Sequence, residues 1–282
     1  MTQKDLYEIF SEYRPQPTYP TYPPYHTGDY LEDYFYSFYS FYQDKSSERL
    51  LIPVSWTTCY IEKKDAGLQA LLSSLDQSKK YFTVCQYDDG IKESLPPDTV
   101  QFNAGGNSGG IPLPLICSQM PIGDPVEKDI FCSFVGSKTH PIRQMMADQE
   151  MPKDHLDIQL WMKGWSPKIQ DAEAQAFKTI SERSKFILCP RGYGLNSFRI
   201  YEAFQFGAVP VVITDKFFLP WEDELDWSEF AVLISQETIP QIYDILSAVP
   251  EEYYNSMVNN GKKLYQDYFT LEGMSKQIMK RL

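Results

Sequence analysis

No run of about 18 apolar residues, the length needed to cross a bilayer, occurs in this 282-residue sequence. The opening MTQKDLYEIF is polar and lacks the pattern of a secretory leader. Both absences predict a soluble chain in the cytoplasm. Basic residues are also in deficit: 26 Lys and Arg stand against 38 Asp and Glu, a net charge of -12. With no basic face to neutralise a phosphate backbone, nucleic acid and anionic membrane surfaces are excluded as partners. The five cysteines, Cys59, Cys85, Cys117, Cys132 and Cys189, are odd in number and widely spaced. That argues against a disulfide framework and for reduced core residues. No Cys-x-x-Cys or His-x-x-x-His pair occurs, so a structural zinc site is not expected. Heptads, internal repeats and long low-complexity tracts are missing too.

What is present begins with aromatics. The first 42 residues hold ten tyrosines and five prolines. Pro15 to Pro24 predicts an extended arm, because each residue before a proline avoids the helical region. Tyr30 to Tyr42 is apolar nearly all round and predicts a helix packed against the rest of the molecule. A tyrosine platform for sugars is the functional alternative. From Leu50 onward, short apolar runs alternate with helical ones, an α/β pattern. Strands are expected at Leu51–Ser55 and Tyr81–Gln86, with a helix at Ala66–Leu75 between them. Asn103–Gly110 reads as a flexible glycine-rich surface turn, and Ile111–Ile116 as a strand interrupted by prolines. A first α/β lobe, residues 1–125, ends there. The second, residues 126–282, opens with a strand at Ile130–Val135, a turn at Gly136–His140 and a helix begun by Pro141. Helices are also expected at Ile239–Leu246 and Gly273–Leu282, the last crossing back to the first lobe.

The densest signal is CPRGYGLNSFRIYEAFQFGAVPVVITD, residues 189–215. Phe186–Cys189 reads as a buried strand, broken by Gly192 and Gly194. Asn196 or Ser197 caps a helix that Gly207 terminates, and Val209–Thr214 is a second buried strand. Glycines let backbone approach a ligand, and free N–H groups at a helix start favour an anion. Arg191 and Arg199 bracket the turn of an acidic protein, which suggests a localised anion such as phosphate. Glu202, three residues beyond Arg199, shares its helix face and suits paired ribose hydroxyls, or simply pairs with Arg199.

This stretch resembles the donor-binding signature of the exostosin family, glycosyltransferase family 47. The likeness extends to IPVSWT at Ile52–Thr57, FTVCQYDDG at Phe82–Gly90, IPLPLICS at Ile111–Ser118 and FVGSKTHPIR at Phe134–Arg143. Within that family it resembles small members encoded by large viruses of green algae. The resemblance implies two Rossmann-like lobes facing a cleft, the GT-B architecture. It implies inverting transfer of a sugar from a nucleotide diphosphate donor, a UDP-sugar with UDP-xylose first, to a glycan or glycoprotein hydroxyl. Animal members carry a membrane anchor, from which this sequence departs.

Ligands of open parallel sheets bind beyond the strands' carboxyl ends. In the second lobe that rule selects Ser137, Lys138, Thr139 and Arg143, then Pro190, Arg191, Gly192, Tyr193, Gly194, Asn196 and Ser197, then Asp215. The resemblance gives Arg143 to the donor diphosphate, with Arg191 and Arg199, and Glu202 to the ribose. In the first lobe the rule selects Trp56–Tyr60 and Tyr87–Gly90. Sugar transfer needs a base for the acceptor hydroxyl, and Asp88 and Asp89 are the candidates. Asp-Asp-Gly is also an ordinary turn sequence. Plant relatives often carry His-Asp where this chain has Tyr87-Asp88. His26, Trp56 and Tyr87 are the candidate acceptor contacts, with His140 a further polar candidate and His155 without motif support. Strict Asp-x-Asp spacing is missing here, and Glu222–Asp226 reads as a solvated acidic turn, so no metal and no cofactor are expected. Two rivals stand: a non-catalytic nucleotide- or glycan-binding module on the same fold, and a nicotinamide-dependent oxidoreductase, whose fingerprint the Cys-Pro-Arg turn matches poorly.

Overall fold

A computed structural model describes residues 1–15, 30–42, 48–116, 126–149, 156–161 and 169–282. His26, Cys117, His155, most of the proline arm and the 125/126 boundary lie outside the described residues.

The first lobe begins with helices α1 (Gln3–Ile9) and α2 (Leu31–Tyr42). Its sheet contains β1 (Arg49–Leu51), β2 (Lys80–Cys85), β3 (Val100–Asn103) and β4 (Ile111–Pro112), all parallel and in chain order. Helices α3 (Trp56–Ile61) and α4 (Leu68–Ser73) join β1 to β2. β1 stops at Leu51 rather than Ser55, because Pro53 has no N–H for a ladder and the Ser55 carbonyl already accepts the first bond of α3 from Cys59 N, 2.9 Å. Of the expected Ile111–Ile116 strand only Ile111 and Pro112 pair, for the same reason.

The second sheet is also wholly parallel, in the order β6-β5-β7-β8-β9. Its strands are β5 (Ile130–Ser137), β6 (Leu156–Trp161), β7 (Ser184–Pro190), β8 (Val209–Thr214) and β9 (Val232–Ser235). Connecting helices are α5 (Pro141–Ala147), α6 (Asp171–Arg183), α7 (Phe198–Gln205) and α8 (Ile242–Ser247), followed by α9 (Glu251–Tyr268) and α10 (Leu271–Lys280). Val209–Thr214 is buried throughout, as expected of a central parallel strand. Pro210 is tolerated there because pairing with β9 begins only at Val211.

The order 6-5-7 contains a reversal. The chain leaves β5 toward β6, and later returns to pair β7 on β5's other edge. α5 packs into one buried cluster with Ile239 and Leu246, and α7 into another with Phe269 and Ile278. The loops after β5 and β7 therefore diverge and open a crevice between them.

The two lobes share a core. One cluster joins Phe82, Val84 and Phe102 of the first sheet to Ile200 and Phe204 of α7 and Ile278 of α10. α10 packs on α2, with Met274 and Ile278 in the same cluster as Leu31, Phe35 and Tyr39. Phe35, Tyr36 and Tyr39 of α2 are thus core, while Phe41 and Tyr42 are exposed; Phe35 and Tyr39 stack at 5.8 Å, and both meet Phe82 edge-on.

Candidate functional site

The diverging loops of the second lobe and the β2 loop of the first enclose a cavity of about 630 Å³. That falls within the ~300–1,000 Å³ usual for small-molecule sites. Its base is the start of α7. Ser197 Oγ accepts from Arg199 N at 3.4 Å, the N-cap bond. Asn196 Oδ1 accepts from Ser197 N, 2.9 Å, and from the buried Tyr201 hydroxyl, 3.1 Å. Its amide donates across to Leu113 O in the first lobe, 2.8 Å. Gly207, at φ 63°, ends the helix in the left-handed conformation.

Close approach requires a glycine at 194 and crowds position 192. A Cβ at Gly194 would lie 2.4 Å from Asp88 Oδ1 and 2.9 Å from Gly105 O. At Gly192 it would meet Arg143 Nη2 at 3.1 Å. The turn is therefore the place where the lobes touch, and the candidate base lies against it.

Arg199 and Glu202 both line the cavity, as their spacing predicts. The Arg199 guanidinium is held between two rings, 4.7 Å from the Phe134 centroid and 5.2 Å from Phe177. Its Nε is buried with no hydrogen-bond partner among the described residues. A buried, undischarged donor beside a helix N-terminus fits an anionic ligand. Thr139 Oγ1 is in the same position. Glu202 is 5 % exposed, deep in the pocket wall. Ser137, Lys138, Gly192 and Tyr193 also line it.

Arg143 lines the cavity but serves the scaffold as well, donating to Ser137 O at 2.8 Å, Arg191 O at 3.1 Å and Pro190 O at 3.4 Å. It ties the ends of β5 and β7 together. Pro190 is buried and does not line the cavity.

Arg191 departs from expectation. It does not line the cavity; Nη1 pairs with Asp215 at 2.6 Å, and Nη2 donates to Tyr193 O at 2.8 Å and Asn107 Oδ1 at 3.4 Å. A strong carboxylate partner draws the guanidinium to the rim, so Arg191 bridges the lobes.

On the first lobe Asp88 and Tyr87 face the cavity. Burial pushes the Asp88 carboxyl up to about 6, the neighbouring Asp89 charge adds to this, and Arg191 opposes it. A carboxylate poised there suits a general base. Asp89 is otherwise engaged: it accepts from Asn107 Nδ2 and from the Tyr193 hydroxyl, each at 3.1 Å, and does not line the cavity. Asp88 alone of the pair is therefore presented to a ligand. Trp56 is a correction. It is fully buried, its indole N–H donating to Thr83 Oγ1 at 2.9 Å, because Ser55 starts a helix that turns the ring into the core. Thr57, within the Trp56–Tyr60 stretch that the loop rule selects, reaches the cavity instead, with Gln86, Tyr30 and Ile61; of these Ile61 lay outside every quoted segment. His140 caps α5, accepting from Ile142 N at 3.3 Å. Burial and the nearby arginines depress its pKa.

One loop also differs in part from its sequence reading. Residues 103–106 are buried rather than a surface turn, and Gly105 O accepts from Leu195 N at 2.9 Å, so this loop is the seam between the lobes. The acidic stretch at Glu222–Asp226 is an exposed turn, as read, with two of its charges paired at the surface: Asp223 accepts from Arg281 at 3.1 Å and Glu224 from Lys280 at 2.9 Å. Among the described residues no group of three or more His, Cys, Asp or Glu side chains could hold a metal ion. No helix among them is long and apolar enough to cross a membrane.

Residues 101–249, just over half of the sequence, match the Exostosin GT47 domain. The chain belongs to the exostosin GT47 family. The match takes in this exostosin-family chain's Gly105 loop, β5 to β9 and the whole α7 turn, while Asp88 precedes it. A probable glycosyltransferase of Arabidopsis thaliana is 31 % identical over 141 residues, 50 % of this chain and 28 % of that protein. The probable beta-1,4-xylosyltransferase IRX10 of the same plant is 38 % identical over 71 residues, 25 % of this chain and 17 % of its own length. The matched part thus spans under a third of either relative. Among solved structures, sucrose-phosphate synthase from Thermosynechococcus elongatus aligns over 85 % of this chain and 63 % of its own, with TM-score 0.41 and 12 % identity. Two parallel α/β sheets facing a cleft are the GT-B arrangement that the family resemblance implies.

Proposed function

We propose that this chain transfers a sugar, with inversion, from a nucleotide diphosphate donor to a hydroxyl of a glycan acceptor. One observation carries the reading: Asp88 of one lobe opens into the same cavity as Arg199, Glu202 and the start of α7 on the other. The acceptor oxygen attacks the anomeric carbon as Asp88 takes its proton, and the carbon–oxygen bond to the diphosphate breaks. Arg199, Arg143, Lys138 and the α7 N-terminus offset the charge that develops on the leaving group. Glu202 accepts from the ribose hydroxyls. Tyr87 offers a ring face beside the base for the acceptor sugar.

UDP is the nucleotide to try first. UDP-xylose leads the sugar panel, in keeping with the xylosyltransferase name of one relative. The expected test is a set of nucleotide sugars scored by thermal shift and by nucleotide release, with and without chelator. Stabilisation by UDP but not NAD, with release that survives chelation, supports metal-independent transfer. Release that stops with chelator would remove the metal-independent part. UDP binding with no transfer to any glycan would favour a binding module.

A further inference from the structure

Glu32 on α2 is fully buried, yet a carboxyl is the costliest group to bury without partners. Its partners are specific. Oε1 accepts from Gln86 N at 2.6 Å and from the Thr57 hydroxyl at 2.8 Å, and Oε2 accepts from Thr57 N at 3.1 Å. The connection is returned, because Gln86 Oε1 accepts from Leu31 N at 3.0 Å. Gln86 directly precedes Tyr87 and Asp88, and both Gln86 and Thr57 are cavity wall. One side chain thus clamps the end of β2 and the start of α3 at the depth of the candidate base.

We propose that Glu32 is a positioning residue for Asp88, fixing the backbone that carries the base. The proposal rests on the transferase reading above. Glu32 touches neither ligand space nor Asp88, so its effect runs through Gln86. The titratable groups around it are Asp33, Tyr36, Cys59 and Cys85. Burial and Asp33 raise the Glu32 pKa, while the donors from Gln86 and Thr57 oppose that rise. An amide at this position cannot accept from three donors with two oxygens. Glu32→Gln therefore frees the Gln86 or Thr57 N–H and loosens the strand end.

The test measures kcat, donor KM, UDP affinity and the pH profile of the full-length chain. Glu32→Gln is expected to lower kcat by about 10- to 100-fold, the scale of a misplacement near 1 Å. UDP affinity is expected to stay within about twofold of wild type, because the donor elements lie on the other lobe. The acid limb of the profile is expected to move to lower pH, as Asp88 gains water and its carboxyl relaxes toward the ordinary range. A merely structural carboxyl would shift melting and leave the limb in place. Wild-type kcat and an unmoved limb in Glu32→Gln would overturn the proposal. Should that variant lose UDP binding through unfolding, Thr57→Val decides. It removes one donor to Glu32, and kcat lowered with UDP affinity kept supports the clamp, while unchanged kcat overturns it. A wild-type chain that neither binds UDP nor transfers sugar overturns the functional reading and the proposal together.

Discussion

Replacing Asp88 with Asn is expected to end transfer and to make the protein more stable at neutral pH. The Asp88 carboxyl is raised from 3.8 to about 6, first by burial and then by Asp89. Its charged form is therefore disfavoured in the folded chain by about 3 kcal/mol relative to water. Solvent in the open cavity screens part of that, leaving about 1–2 kcal/mol to be gained by an uncharged isostere. The sign follows from proton binding. With the folded pKa above the unfolded one, the folded chain holds the extra proton between about pH 4 and 6, and its stability falls as pH rises through that window. Asn has no such dependence. Urea denaturation of both proteins at about pH 7.5 and about pH 4 measures the difference, which is expected at the higher pH and absent at the lower. Asn keeps the shape that lies against Gly194, so repacking does not obscure the comparison. Asp88→Asn that is less stable than wild type at neutral pH would refute the reasoning, as would retained turnover.

Two further outcomes follow from the same geometry. Asp89→Asn removes the like charge that adds to the rise of Asp88, so the acid limb of kcat/KM, expected near pH 6 in the wild type, is expected to move downward. Arg191→Gln removes the opposing charge and is expected to move that limb upward; a pH–rate series in which both variants shift the same way contradicts the assignment. Arg199→Met keeps the packing between Phe134 and Phe177 but removes the charge. UDP affinity by calorimetry is expected to fall about 10- to 150-fold, the worth of a charge-assisted hydrogen bond, and unchanged affinity would take Arg199 off the phosphate.

The α7 unit was the most legible part of the chain, because every signal in it is local. A cap at Ser197, a stop at Gly207 and buried strands on either side need no knowledge of distant residues. Arg199 and Glu202 share a face for the same reason. The pairing of Arg191 with Asp215 was not legible because Asp215 lies one strand away and is brought to it only by the β7–β8 pairing. Trp56 failed similarly: the loop rule assumes a loop, and Ser55 begins a helix. The long helix α9 was not among the expected elements, and Gly261 lies inside it. Gly261 is there because the Phe204 ring lies 2.8 Å from where a Cβ would sit. The glycine-rich run after β3 looked mobile for its composition, yet Gly105 lies against the Asp88 backbone and Gly106 against Leu195 and Phe218 of the other lobe. Composition cannot separate a glycine that frees a chain from one that makes room for a neighbour.

The packing of α10 on α2 bears on how the protein is made. α2 and α10 come from opposite ends of the described sequence, and the core around Phe35 and Tyr39 includes Met274 and Ile278. During synthesis the amino-terminal lobe emerges first, with one side of that core still open. Its completion waits until α10 has left the ribosome, and until then the aromatic face of α2 is exposed to other chains. Cutting the sequence between the two sheets accordingly yields two fragments, one lacking a wall and the other carrying it. They should assemble when mixed, with the second fragment supplying the missing helix.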